Sequence, residues 1–112
     1  MITITIARDG GTGRIRRFTV SGHAGFDDPG QDIVCAGVSA VTVGAVNAVE
    51  KLTGVVPESS MRGGWLSAIV PECGDAERDR QVQWLLEGMI VSLETIAASY
   101  AKYVQIRNTT RR

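Results

Sequence analysis

DIVCAGVSAVTVGAVNAVEKLTG, running from Asp32 to Gly54, is the stretch that decides the fold. Asp32 suits a helix cap, because its carboxylate can accept from the free backbone N–H groups of a first turn, and the helix then runs from about Ile33 to Thr53. Gly54 and Pro57 mark its end. The segment is apolar nearly all round, and Gly37, Ala40, Gly44 and Ala48 permit close packing. It is therefore expected inside the domain and not on its surface. Its uncharged run, Ile33 to Val49, has 17 residues and includes Ser39, Thr42 and Asn47. A spanning helix needs about 20 apolar residues, so the reading is a buried core helix and not a membrane segment.

Upstream of the helix lies Gly22 to Gln31, ten residues rich in Gly, Asp and Pro. That length and composition mark a loop, and a loop of this length in a small domain is a candidate for function. Before it, Met1 to Arg8 alternates Ile2, Ile4 and Ile6 with Thr3 and Thr5, the period-two pattern of a half-buried strand. Asp9 to Gly13 is a turn, and Arg14 to Ser21 resumes extended character with Phe18 and Val20 on one face. A hairpin joins the two. Downstream, Trp65 to Val70 alternates again, with residues 58–62 as its hairpin partner. Asp75 can cap a second helix, in which Val82, Leu86, Met89, Ile90, Leu93 and Ala97 recur at spacings of three and four. Tyr103 to Arg107 reads as a short final strand, followed by a tail ending in Arg111 and Arg112. This order predicts an α+β fold: a small, mostly antiparallel sheet with two helices, the first buried and the second long and amphipathic.

With 112 residues and 44% hydrophobic positions, the chain can bury a core as one domain, residues 1–112. Twelve Lys and Arg balance twelve Asp and Glu, and the pI is near 6.6. Such a balance gives no electrostatic footprint for direct nucleic-acid binding. The N-terminal MITITI has neither a basic prefix nor an apolar block with a cleavage site, so no signal peptide is expected and the predicted compartment is the cytoplasm. In that reducing setting Cys35 and Cys73 are expected as thiols. The apolar area left on so small a layer predicts a homodimer.

The chain's sole histidine, His23, follows the second strand at the start of the loop, and Cys35 falls at the third position of the first helix. A thiolate is far more nucleophilic than a thiol, and the unpaired N–H groups of a helix start, together with a neighbouring imidazolium, favour it. If the loop folds back, His23 and Cys35 form the general acid and nucleophile of a cysteine protease. The backbone N–H groups of Cys35 and Ala36 are then candidates to hold an oxyanion. From spacing alone the commoner reading is a small buried cysteine and a solvated or hydrogen-bonded loop histidine, so spacing does not carry the claim. A zinc site from His23, Cys35 and Cys73 lacks the close ligand pairs that zinc sites show, so no metal and no cofactor is expected, and Cys73 reads as incidental.

Gly22-His23-Ala24, followed by Gly30-Gln31-Asp32-Ile33-Val34-Cys35-Ala36-Gly37-Val38-Ser39, resembles the signature of the ribosomal-processing cysteine protease family called Prp. Asn47-Ala48 and Met89-Ile90-Val91-Ser92-Leu93 look like the same family, so the resemblance covers nearly the whole chain. The stretch from Val55 to Arg80 falls in the family's variable part. The resemblance implies a small bacterial homodimeric endopeptidase that removes a short N-terminal extension from ribosomal protein twenty-seven of the large subunit, cutting after a phenylalanine-containing apolar sequence. It places His23 and Cys35 at the catalytic pair. It matches Asp32 to an acidic residue that caps, orients His23, or does both, and Ser39 to a supporting position, with Gly22 and Ala36 inside the two motifs. The loop at about 22–31 would be a mobile cover over bound peptide.

Two other readings compete. A non-enzymatic ribosome-associated binding protein would use Arg14, Arg16, Arg17, Arg107, Arg111 and Arg112 against RNA phosphates, with a steep salt dependence. A thiol redox sensor built on Cys35 would form sulfenic acid without cutting peptide. Trp65 and Trp84 are expected in core or dimer packing, with no part in a site.

Overall fold

Isoleucines at every second position of the N-terminal segment form the inner face of β1, Ile2–Asp9, and Ile2, Ile4 and Ile6 are all buried. A computed structural model describes residues 1–28 and 30–111. Its remaining elements are β2 (Ile15–Ser21), α1 (Ile33–Thr53), β3 (Glu58–Arg62), β4 (Trp65–Ile69), α2 (Ala76–Ser99) and β5 (Val104–Arg111). The strands form one sheet in the order β3-β4-β2-β1-β5. Every pairing is antiparallel except β1 with β5, so the sheet is mixed and mostly antiparallel.

Register puts the apolar positions on one face: Ile6 opposes Phe18, Phe18 opposes Ala68, and Val20 opposes Leu66. These side chains share one core with Val34, Val38, Val46 and Val49 of α1 and with Val82, Leu86, Met89, Ile90 and Leu93 of α2. Burying each large aliphatic or aromatic side chain there contributes roughly 1.5–3 kcal/mol. The other face carries Thr3, Thr5, Arg17, Thr19 and Ser67. Arg8 on β1 reaches Glu87 on α2 through two hydrogen bonds, and Gln83 exchanges two more with the Ile15 backbone, so α2 is pinned to the first hairpin.

Three expectations change. The first helix is buried along one stripe only: Val34, Val38, Thr42, Val46, Val49 and Thr53 point inward, while Ile33 and Leu52 are 59% and 69% exposed. By length and composition α1 could also cross a membrane; in this fold its inner stripe packs in the core with the sheet and α2, and among the described residues no further layer covers its outside. The final strand is longer than the Tyr103–Arg107 read from sequence, because β1 offers pairing partners as far as Asp9, opposite Arg111. An edge strand needs only backbone partners, so polar Asn108, Thr109 and Thr110 extend it without an apolar pattern. Of the core or dimer packing expected of the tryptophans, the core half is excluded, because neither enters the core. Trp84 points away from the Val82–Leu86 stripe of α2 and is 80% exposed, and Trp65 alternates with buried Leu66 and is 41% exposed.

Candidate active site

The turn from β2 into the loop is built around Gly22. Its φ is +87°, and a Cβ there would run into the Met1 carbonyl oxygen, so glycine alone fits. The Gly22 N–H donates to the Gly64 carbonyl at 2.9 Å, and the Met1 amino group donates to the His23 carbonyl at 2.6 Å. These bonds fix the backbone on both sides of His23, whose side chain is exposed. Ala24 turns inward, and its N–H donates to Cys35 Sγ at 3.3 Å. That bond strengthens whenever the sulfur carries negative charge.

Asp32 caps α1 as expected: Oδ1 accepts from Val34 N and Cys35 N, each at 3.0 Å. Its second oxygen accepts from Phe26 N at 3.1 Å, which ties the loop back onto the helix start. The Cys35 N–H is the main cause holding the Asp32 carboxyl below its ordinary value of 3.8; burial pulls upward, and the Phe26 N–H adds to the lowering. Among the described hydrogen bonds none joins Asp32 to His23. Farther along the loop, the Phe26 ring meets Tyr100 and Tyr103 edge-on at centroid distances of 5.7 and 5.3 Å. Sequence patterning gave no hint of that anchor.

The expected oxyanion donors need correction. The Cys35 N–H is taken by Asp32 Oδ1, and the Ala36 N–H donates to the Asp32 carbonyl at 3.1 Å. A capped first turn satisfies its own amides, which removes them from service to a substrate. Ala36 remains on the wall of the site, and Ser39, one turn beyond Cys35, is exposed there as well.

Cys35, half-buried, sits between two hollows. One, of about 360 Å³, lies between α1 and the β3–β4 hairpin, with Val20, Val38, Met61 and Leu66 among its apolar walls. The other, of about 560 Å³, lies under the loop and includes Gly25, Asp27, Gly30, Asp32 and Ala36. His23, Cys35 and Ser39 border both. Trp65, expected only in packing, lines the first hollow beside Gly63 and Gly64. The Gly63-Gly64 turn is legible as a hairpin signal, but its position under His23 follows from the pairing of β2 with β4, which no local pattern states.

Cys73 lies elsewhere, exposed before α2, with its N–H on Asp79 Oδ1 at 2.9 Å. Among the described residues no three His, Cys, Asp or Glu side chains gather as a metal-holding group. Arg14 is engaged by the Val70 carbonyl and by Glu72, while Arg16, Arg17 and Arg107 are exposed. The Arg111 side chain and Arg112 lie outside the described residues.

Comparison with known proteins agrees with this architecture. The family model for cysteine protease Prp matches residues 1–105. The chain is 46% identical over 108 residues to the ribosomal processing cysteine protease Prp of Bacillus subtilis (strain 168), covering 95% of this chain and 96% of that one. It is 35% identical over 108 residues to the protein of the same name from Staphylococcus aureus (strain Mu50 / ATCC 700699), covering 95% and 97%. Among solved structures, the essential ribosomal processing protease Prp from S. aureus with a covalently linked product peptide superposes with a TM-score of 0.87 at 33% identity, over 97% of this chain and 100% of that one. The same protease with a substrate peptide gives 0.83 at 31% identity, over 97% and 100%.

Proposed function

The chain belongs to the Prp family of ribosomal processing cysteine proteases, and on that footing we propose that it is a Cys-His endopeptidase that removes the N-terminal extension of ribosomal protein twenty-seven of the large subunit. The observation that carries this reading is the shared frontage of His23 and Cys35 on the same two hollows, with Cys35 in the first turn of α1. The apolar walls of the first hollow suit a phenylalanine-containing peptide.

In this mechanism Cys35 Sγ attacks the scissile carbonyl carbon, and the thiol proton passes to His23. The tetrahedral intermediate collapses as His23 returns that proton to the leaving amine, which departs and leaves a thioester on Cys35. Water then attacks the thioester, giving its proton to His23, and the acid product leaves as the thiol is restored. Asp32 acts through position: it caps α1 and ties the loop to the helix start. Ala24 N–H, already on the sulfur, is a backbone donor close to the reacting atoms. Gly22 sets the turn before His23, and Ala36 and Ser39 shape the wall. The loop at 22–31 covers bound peptide. No metal or cofactor takes part.

The enzyme works in the cytoplasm as a homodimer, and the exposed Ile33, Leu52, Val56, Trp84 and Val91 supply apolar surface for that pairing. Light scattering at micromolar concentration should return twice the 12.0 kDa chain mass; a monomer mass would remove the dimer from this reading. For the activity itself, mass spectrometry of a peptide that carries the extension sequence, incubated with wild type and with Cys35→Ala, should find one cut made by the wild type alone. Cleavage by both proteins would overturn the proposed nucleophile.

A further inference from the structure

We infer that Gly64, in the β3–β4 turn, is a positioning residue for His23. The inference rests on reading His23 as the acid–base of the reaction. Gly64 has φ +75°, and a methyl placed on its Cα would lie 2.6 Å from His23 Nε2, 2.8 Å from Cε1 and 3.3 Å from Cδ2. The outer end of the imidazole thus occupies the volume that any other residue would claim. The Gly64 carbonyl also accepts the Gly22 N–H at 2.9 Å, so one residue holds the backbone just before His23 and supports its ring.

Ring and turn come from segments far apart in sequence, and the pairing of Ser21 with Trp65 brings them together. Of the two partners the imidazole is the one free to yield, because it is an exposed side chain while Gly64 is held in a hairpin turn. A side chain at position 64 therefore displaces the ring from the hollows that it borders together with Cys35 and affects catalysis more than folding.

Gly64→Ala tests this against Gly13→Ala. Gly13 has nearly the same backbone, φ +76°, in another hairpin turn, with nothing within 4 Å of its missing Cβ. With the peptide substrate, Gly64→Ala should lower kcat about 10- to 100-fold while KM changes little, since small misplacements of a catalytic group cost that much. Gly13→Ala should keep kcat within about twofold and lose less thermal stability than Gly64→Ala, because it carries only the shared cost of a left-handed alanine and no contact with a ring. His23 is the sole histidine, so its ring proton resonance is identified without further labelling, and Gly64→Ala should move its chemical shift at fixed pH.

Combining Gly64→Ala with His23→Ala removes the ring, and the drop in Tm should then be smaller than in the wild-type background. Equal drops in both backgrounds, or wild-type kcat in folded Gly64→Ala, would overturn the inference. Should Gly64→Ala fail to fold, a folded double variant supports the contact, and an unfolded one assigns the cost to the backbone and overturns it. Full cleavage by His23→Ala would instead overturn the acid–base reading, while the Tm coupling would still report the contact.

Discussion

Asp32 Oδ1 accepts the backbone N–H of Cys35 at 3.0 Å, so the residue that starts α1 and the proposed nucleophile are one hydrogen bond apart. The bond stabilises the ionised carboxylate, and its carboxyl titrates below the ordinary 3.8 in the folded chain. Stability from this group is fully present above the unfolded value and is lost as pH falls through the lowered folded one. Asp79 adds stability of the same sign through the Cys73 N–H. The urea midpoint is expected to hold steady from neutrality to about pH 5 and to fall below about pH 4. Asp32→Asn should show a shallower acid limb; a limb identical to wild type would remove Asp32 from the account.

Cys35→Ala should leave the circular dichroism spectrum unchanged and form no covalent adduct with peptide by intact mass. His23→Ala should lower the cleavage rate roughly 10²- to 10⁴-fold, the range for losing a general acid–base group. A His23→Ala rate within a factor of two of wild type would argue against the pair.

Phe26→Ala should release the loop, because its two edge-on partners, Tyr100 and Tyr103, lose an interaction of about 0.5–1.5 kcal/mol each. Limited proteolysis should then cut within residues 22–31 faster than in wild type. Unchanged protection would show that the Asp32 bond to Phe26 N holds the loop by itself.

Leu86→Ala, at a fully buried position of α2, should cost about 2–5 kcal/mol in denaturant unfolding. Trp84→Ser, two positions away on the exposed side, should change the stability of the isolated fold by no more than about 0.5 kcal/mol and weaken any dimer that uses it. A large loss of monomer stability in Trp84→Ser would show that the ring packs within its own chain.

The bounds of α1 were legible because its ends carry local signals: Asp32 at the cap and Gly54, whose N–H bonds back to the Glu50 carbonyl. The alternation of Ile2, Ile4 and Ile6 likewise stated which face of β1 is inner. The remaining features depend on partners distant in sequence. Composition marked α1 as enclosed, yet only one stripe finds a partner. Polar residues of β5 join the sheet because β1 is beside them, and no side-chain pattern announces that. At the site, the motifs pointed to His23 and Cys35 as a pair, while Gly64 and Trp65 arrived through strand register in a segment of little pattern. Local sequence does not settle what the Cys35 and Ala36 amides bind, because the Asp32 cap and the first helical bond compete with an oxyanion hole for the same N–H groups.

The parallel ladder between β1 and β5 joins the earliest-made strand of this domain to the latest, with Ile2 opposite Val104 and Asp9 opposite Arg111. During translation β1 therefore waits, one edge unpaired, until nearly every other residue of the domain has been synthesised. Contacts of such long sequence separation form slowly. The nascent chain thus completes its sheet only after residues 104–111 leave the ribosome, which delays a finished protease until synthesis of this domain is over.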